Sequence, residues 1–422
     1  MLTIFFMGNV SSTIENTLCT GCGVCEDVCP VHAITIVKKQ GIFIPEINEK
    51  QCLSPKCGKC LKVCPGIGIN LKELSNSLFT ENQVVSDTYI GNYISLYSGY
   101  SLDADIRFHS ASGGLLSQFL VYLLDKRIVD GVVVTSFSEE DKTRPVSYIA
   151  RTKEDVIKAR SSKYCPVSLN NIVNEIVGTD GKYIIVGLPC HIQGFRKRTL
   201  IDKRLKERIS GYFAIYCSSN RTFNAQEYLF RKYNVRRDDI SYFAYRDNGC
   251  LGNLVIETYK GRKEEPYTDY YPKLRSFFKP RRCLSCIDHY GELADVCFGD
   301  IHIYPYSEDK IGINSCIVRT SRYKILLEQA VRDGYIYLQD LDPYTLNESQ
   351  KTMLYPKKVK AKALMNIDRI LGRQTVRYDD PVLEKCKPKL KDYLSVFITN
   401  IQRFIGSHPS LWFLIDLSNK NR

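Results

Sequence analysis

Eight cysteines between Cys19 and Pro65 constrain this chain more than any other feature. They form two blocks, Cys19-x2-Cys22-x2-Cys25-x3-Cys29-Pro30 and Cys52-x4-Cys57-x2-Cys60-x3-Cys64-Pro65. Three thiols so close in sequence wrap one face of a cube. In the bacterial C-x2-C-x2-C-x3-C-P run the fourth cysteine of each block ligates the other block's [4Fe–4S] cluster. The spacing therefore assigns Cys19, Cys22, Cys25 and Cys64 to one cluster, and Cys52, Cys57, Cys60 and Cys29 to the second. Pro30 and Pro65 stop a helix after each block and remove a backbone donor the turn does not need. Zinc is the main rival, but it takes four ligands, usually as separated CxxC pairs, and not this run twice.

At 422 residues the chain is too long for one such module and expects further domains. Seventeen cysteines without a secretory signal point to a reducing cytoplasm. The apolar stretch Leu2–Met7 is short and lacks a basic flank, so it is not read as a signal peptide. No window reaches the roughly 20 apolar residues of a membrane-spanning helix. The net charge is +13, and residues 356–422 carry 14 Lys/Arg against 6 Asp/Glu, so most of the excess lies in that tail. These basic residues alternate with apolar ones and match no nucleic-acid-binding module, which argues against a nucleic-acid partner. A solvated helical face, an acidic partner or peripheral contact with an anionic membrane surface remain open for the tail.

The expected organisation is an α+β, ferredoxin-like two-cluster domain over residues 1–70, a polar linker over 71–94, then α/β domains with a mixed or parallel sheet over 95–180 and 181–345. A basic, partly helical extension follows over 346–422. Residues 1–18 read as a leader ending in a strand, and Ala33–Lys38 and Gly41–Ile47 as strands between the cysteine blocks. Leu115–Asp125 has helical apolar spacing, Gly131–Phe137 is a buried strand, and Lys153–Lys163 a charged surface helix. Lys182–Leu188 is a strand followed by a turn at Pro189-Cys190 and a helix from His191. Gly211–Tyr216 is a second strand running into Cys217. Such a βαβ unit lays its strands parallel, so Cys190 and Cys217 are expected to emerge side by side at one sheet edge. Cys283 and Cys286 supply a CxxC behind Lys279, Arg281 and Arg282, which makes four thiols with Cys190 and Cys217; Cys297 is a spare. A third cluster, a zinc site and buried structural thiols all fit that spacing. A helix N-terminus at Cys190 would favour its thiolate. Cys165, Cys250, Cys316 and Cys386 read as ordinary buried cysteines. No GxGxxG follows a strand, and no phosphate loop or HExxH occurs. Ser112-Gly113-Gly114, just before a helix, presents amides that could cradle a phosphate.

The order of Ala111-Ser112-Gly113-Gly114, Ser162-Lys163-Tyr164, Gly187-Leu188-Pro189-Cys190, Cys217, Cys283-x2-Cys286 and Ala294-Asp295 through Gly299-Asp300 resembles the coenzyme F420 hydrogenase/dehydrogenase beta-subunit family. (Coenzyme F420 is a deazaflavin.) The resemblance covers residues 10–305. It implies an iron–sulfur flavoprotein oxidoreductase that passes electrons between [4Fe–4S] clusters and FAD and exchanges hydride with coenzyme F420 or another organic substrate. It implies an FAD site at Ser112, Gly113, Gly114, Ser162, Lys163, Tyr164, Gly187 and Pro189, joined by Asp295 and Asp300, with Lys163 as the catalytic candidate. It also implies a third cluster on Cys190, Cys217, Cys283 and Cys286. The partners implied are a ferredoxin or hydrogenase/dehydrogenase-type subunit and a small hydride donor or acceptor. The alternative is a non-catalytic electron-transfer subunit of a partner enzyme, such as one of polysaccharide biosynthesis. A scaffold with structural clusters is a third reading. Three departures from the family's pattern fall where a substrate would approach. Ser161 replaces a glycine, Cys165 replaces an apolar residue, and Ser218-Ser219-Asn220-Arg221 follows Cys217 where many bacterial relatives have His-Gly-Val-Pro. Clusters move one electron and hydride two, so a flavin between them reconciles the counts.

Overall fold

The computed structural model describes residues 8–420; the Leu2–Met7 stretch lies outside them. An eight-stranded sheet organises the larger part of the chain. Its spatial order is Ile336–Asp340, Ser95–Ser101, Asn314–Val318, Val296–Asp300, Ile209–Ile215, Tyr183–Gly187, Gly131–Phe137 and Pro145–Ala150. The four strands Val296–Asp300, Ile209–Ile215, Tyr183–Gly187 and Gly131–Phe137 run parallel. The strands outside them pair antiparallel. Strands buried on both faces read as continuous apolar runs, and Val132, Val133, Ile184 and Ile185 are fully buried here. The sheet takes strands from both sides of residue 180, so the two expected α/β segments share one sheet and its core.

Helix Pro189–Thr199 starts with proline at its first position, where no intrahelical donor is lost. It crosses from the strand Tyr183–Gly187 to the parallel neighbouring strand Ile209–Ile215 (Ala214 opposite Gly187), the expected βαβ unit. Between Ile209–Ile215 and Val296–Asp300 the chain inserts an antiparallel three-stranded sheet, Ile240–Asp247, Asn253–Thr258 and Gly261–Pro266.

In the cysteine-rich region, Ile34–Lys39 and Ile42–Ile47 pair antiparallel between the two blocks. The segment before Cys19 forms a helical turn, Ser11–Glu15, where a strand was expected; Thr13 is its buried residue. The expected linker is itself ordered. It contains helix Leu71–Leu78, started by the Asn70 side chain accepting from Glu73 N, and the paired strands Val85–Asp87 and Gly91–Tyr93. Helix Lys153–Lys158 ends five residues earlier than its charge pattern suggests, behind a capping box of Thr152 and Asp155.

The C-terminal residues return to the cysteine region. Arg377–Tyr378 pairs parallel with Gly68–Ile69, directly after the second block. Lys358 bonds Asp380 at 2.8 Å and lies 3.9 Å from Glu292, so a buried charge network fastens this extension to the loop before Val296–Asp300. Two helices, Leu390–Ser407 and Phe413–Lys420, end the described chain, in keeping with the partly helical extension expected there.

Candidate functional site

The thiols of the first expected set gather in one pocket, lined by Cys19, Cys22, Cys25 and Cys64 together with Val24 and Val63. Burial, then the neighbouring Cys64, pushes the Cys19 thiol up to about 12. Cys22 rises to about 11 for the same two reasons. Cys60 is pushed up to about 11 by burial, with Cys52 and Cys57 close enough to add to it. Four sulfurs in a poorly solvated space cannot all ionise alone; iron would replace their protons. Backbone donors already point at sulfur: Gly21 N at 3.4 Å from Cys19 Sγ and Ala33 N at 3.2 Å from Cys29 Sγ. Such bonds favour a ligating thiolate.

A second cavity joins residues from four distant stretches. Cys190, Cys217, Cys283 and Cys286 line it, with Cys19 at one side and Lys357 and Arg282 among its walls. Cys190 lies within electrostatic reach of Cys217, Cys286 and Cys283, and also of Cys22 from the first set. Burial and these neighbours raise the Cys190 thiol, so they outweigh the helix N-terminus expected to lower it. Gly187 is fixed by the same corner, because a Cβ there would meet the Cβ of His191. His191 holds the strand-to-helix turn: Leu188 N donates to its Nδ1 at 3.2 Å and its Nε2 lies 3.1 Å from Val167 O.

Two observations test whether an iron–sulfur group suits this cavity. Arg282 lines it, and its Nε and Nη1 are buried without a protein acceptor; sulfur is the acceptor such a cavity supplies. Lys357, 3% exposed, presents an ammonium to the same thiols. Among the described residues no three Cys, His, Asp or Glu groups converge on a single-ion centre. Zinc would draw its sulfurs to about 2.3 Å from one point, whereas a cubane holds its thiolates farther apart. The residues fit a cluster.

A second centre adjoins the first at the carboxyl ends of the parallel strands. Arg246, on the inserted sheet, is buried and reaches residues from three separate motifs. Its Nη1 donates to Asp300 Oδ2 at 2.9 Å and to Tyr164 Oη at 3.5 Å, and its Nη2 to Ser112 Oγ at 3.3 Å. Burial raises the Asp300 carboxyl, but Arg246 and His302 hold it well below the usual carboxylate range. Tyr267 and Tyr271 stack at 4.7 Å, Tyr164 lies 4.6 Å from Tyr271, and the Arg221 guanidinium covers Tyr271 at 4.7 Å. Tyr271 is also within electrostatic reach of Cys217. A wall of aromatic faces and guanidinium groups thus connects the Arg246 centre to the third set of thiols.

Several expected residues are placed otherwise. Lys163 Nζ donates to the carbonyls of Ala159 and Arg160, both at 2.6 Å, and of Ser161 at 3.1 Å. Burial pushes its pKa down to about 7. These three acceptors hold its ammonium at the end of helix Lys153–Lys158. Asp295 is placed apart from Asp300. It lies at the opposite end of Val296–Asp300 from Asp300, pairs with Arg196 at 3.1 Å and accepts Tyr212 N at 2.7 Å. Five residues of strand separate the two carboxylates by roughly 16 Å, so they do not converge on one point. Cys297 is fully buried within that strand and does not line the cavity. At the Ser-Gly-Gly turn, a Cβ on Gly113 would strike the Gly312 carbonyl. Leu115 N already donates to Asn314 Oδ1 at 3.0 Å. The glycine is therefore needed for backbone packing, and the amide cradle is partly occupied by the protein. Ser162 lies half-buried on the loop between Ser161 and Tyr164. Ser161 has φ 70°, the left-handed region that favours glycine, and is held there by its hydroxyl donating to the Arg246 carbonyl. Sequence reading missed Arg246, Tyr267, Tyr271 and Lys357, none of which sits in a recurrent motif.

Comparisons with known proteins agree with this layout. Residues 96–174 match the family model for the coenzyme F420 hydrogenase/dehydrogenase beta subunit N-term, residues 180–344 the model for its C terminus, and residues 18–66 a 4Fe-4S dicluster domain. The chain is 24% identical to a subunit of the F(420)H(2) dehydrogenase of Methanosarcina mazei, over 79% of this chain and 88% of that one. It is 23% identical to the coenzyme F420 hydrogenase subunit beta of Methanosarcina barkeri, over 60% and 83%. The coenzyme F420-dependent sulfite reductase of Methanocaldococcus jannaschii matches at 23% identity over 74% of this chain, which spans only 46% of that protein's length. Among solved structures, a chain of the F420-reducing [NiFe] hydrogenase complex from Methanosarcina barkeri shares the fold, with TM-score 0.54 and 20% identity, over 70% of this chain and 99% of that one.

Proposed function

The chain belongs to the coenzyme F420 hydrogenase/dehydrogenase beta-subunit family, an iron–sulfur oxidoreductase family, and from that premise we propose that it is a three-cluster flavoprotein. Cys19, Cys22, Cys25 and Cys64 would hold one [4Fe–4S] cluster, Cys52, Cys57, Cys60 and Cys29 a second, and Cys190, Cys217, Cys283 and Cys286 a third. FAD would be held by Ser112, Gly113, Gly114, Ser162, Tyr164, Gly187, Pro189 and Asp300, with Arg246 added. When bound, these groups pass single electrons and convert them into two-electron exchange with coenzyme F420 or another organic substrate.

The observation that carries this reading is the meeting of four thiols from residues 190–286 in a cavity that Cys19 also lines. The first and third sets are adjacent, so no other element need carry electrons between them. Each residue then has a definable part. Arg282 spans the sets, donating to Pro65 O at 3.1 Å and to Tyr378 Oη at 2.9 Å while its remaining donors face sulfur. Arg246 keeps Asp300 ionised and fixes Tyr164 and Ser112. The tyrosine faces exclude water and suit a planar ring. A role as an electron-transfer subunit without its own substrate is the second reading. It is favoured by the engagement of Lys163, the expected catalytic residue, with three backbone carbonyls.

The test is chemical. Protein purified anaerobically should show flavin absorbance that bleaches reversibly with dithionite, and denaturation should release about one FAD per chain. Intact clusters without any flavin would overturn the proposal. Turnover by the isolated chain with a two-electron acceptor separates the enzyme from the electron-transfer subunit.

A further inference from the structure

The helix Leu390–Ser407 is turned inside out. Leu390, Leu394, Phe397, Ile398, Ile401 and Phe404 are all exposed, from 46% at Ile401 to 75% at Leu390. At 100° per residue these six positions fall within about a third of the helix circumference. The opposite face, turned inward, carries polar groups that bond to the protein. Asp392 accepts from Tyr355 Oη at 2.8 Å, and Arg403 Nε donates to Lys279 O at 2.7 Å. Gly406 packs on the Phe277 carbonyl so closely that no side chain would fit. Val396 on the same face packs with Ala363 and Leu364, so these contacts fix the orientation and leave the apolar stripe unpartnered. Phe413 and Leu417 on the following helix are exposed as well.

Three observations say what covers the stripe. Its side chains are pure hydrocarbon from Leu390 to Phe404, about 22 Å of helix. A protein interface of that size carries roughly one hydrogen bond per 100–200 Å², and these side chains supply no donor or acceptor. The chain leading into the helix has lysines at 385, 387, 389 and 391 with no acid between them, and all four are exposed. A second copy packed with its helix parallel would set these lysines against one another. Finally, no helix among the described residues is long and apolar enough to cross a membrane, so the helix would lie in the surface. An amphipathic helix with large apolar side chains and flanking lysines is the form that enters the interface of an anionic bilayer.

We propose that Leu390–Ser407, with Phe413 and Leu417, anchors the protein in the plane of an anionic lipid surface, with Lys385, Lys387, Lys389 and Lys391 meeting the headgroups. The inner face of this helix touches the segment just before Cys283, through Arg403 to Lys279 O and Arg281 with Asn400. Anchoring would hold the third set of thiols about one helix diameter, roughly 10–12 Å, from the membrane surface. The proposal is independent of what occupies those thiols.

The experiment is flotation of the full chain with vesicles of phosphatidylcholine alone, or with a third phosphatidylglycerol. The wild-type chain should partition at least tenfold more strongly into the anionic vesicles, and the preference should shrink at high salt. The double variant Phe397→Ser, Ile401→Ser should lose at least tenfold in vesicle binding while its visible absorbance and melting temperature stay unchanged, because both side chains are exposed. The triple variant Lys387→Gln, Lys389→Gln, Lys391→Gln should lose the preference for phosphatidylglycerol. A wild-type chain that ignores both vesicles would overturn the proposal and point to a protein partner. So would equal binding to both vesicles, or a wild-type dimer that the double variant converts to monomer.

Discussion

Replacing Lys357 by Met removes a buried positive charge from the third set of thiols while keeping a side chain of similar length. Lys357 is 3% exposed in the helical turn Pro356–Lys360 and lines the thiol cavity. Burial alone would lower its pKa, but Cys286, Cys217 and Cys283 turn the balance and hold it above the ordinary lysine value. A reduced cluster carries one more negative charge than an oxidised one, so the ammonium stabilises reduction. A unit charge about 5–8 Å away contributes roughly 2–3 kcal/mol at an effective dielectric near 20. For a one-electron couple, at about 59 mV per tenfold in equilibrium constant, that corresponds to a potential roughly 90–140 mV lower in Lys357→Met. An anaerobic redox titration followed by electron paramagnetic resonance separates the clusters and measures each. The control is Lys351→Met, whose side chain is 72% exposed and screened by solvent, and which should shift nothing. A change under about 20 mV, or a shift of the two N-terminal clusters instead of the third, would refute the reasoning.

Arg246→Met leaves Asp300 without its buried partner, so it should cost about 3–5 kcal/mol in stability and release FAD, while iron content is unchanged; flavin retained at the wild-type level would remove Arg246 from the flavin site. Lys163→Met should cost about 1 kcal/mol in stability for the lost helix-end hydrogen bonds, read as a lower melting temperature, yet leave flavin reduction within twofold of wild type in stopped-flow; a loss beyond tenfold would make Lys163 a catalytic residue. Burial pushes the Glu292 carboxyl from 4.5 up to about 7 against the pull of Lys358. Between those values the folded chain keeps a proton that the unfolded chain has released, so this contribution to stability is complete below pH 4.5 and lost as the pH rises through about 7. Melting temperatures measured from pH 5 to 8 should therefore fall less steeply in Glu292→Gln than in wild type, and identical slopes would contradict the assignment.

How legible this was in the sequence depended on the distance over which each feature acts. The eight cysteines of residues 19–64 are a local pattern, and their spacing alone divides them into the sets that the pocket at Cys19, Cys22, Cys25 and Cys64 reflects. Cys190 and Cys217 could be brought together because a βαβ unit has one hand and its strands end at one edge. Cys283 and Cys286 were added as a CxxC pair and then by family resemblance, since no rule of chain geometry reaches across the inserted sheet. Arg246 was invisible: a single arginine in the strand Ile240–Asp247 has no periodicity or motif, and its importance lies in Ser112, Tyr164 and Asp300 meeting it from elsewhere. Lys357 was hidden for a different reason, standing among 14 basic residues of the tail, most of which a sequence reads as solvated. Asp295 and Asp300 look equivalent in a motif, but a strand carries its two ends to opposite edges of a sheet. In Leu390–Ser407 apolar residues recur with a period of 3.6, but periodicity identifies two faces without saying which one points inward; the bonds of Asp392 and Arg403 and the burial of Val396 decide it.

The central claim is that sulfur atoms from Cys190, Cys217, Cys283 and Cys286 hold a cluster beside the two of the N-terminal region. Iron and acid-labile sulfide counted in anaerobically purified protein, alongside a Cys283→Ser, Cys286→Ser double variant, address it directly. The wild-type chain should carry about twelve irons and the variant about eight, with the two N-terminal clusters spectroscopically unchanged. About eight irons in both would leave those four thiols without a cluster and contradict the claim.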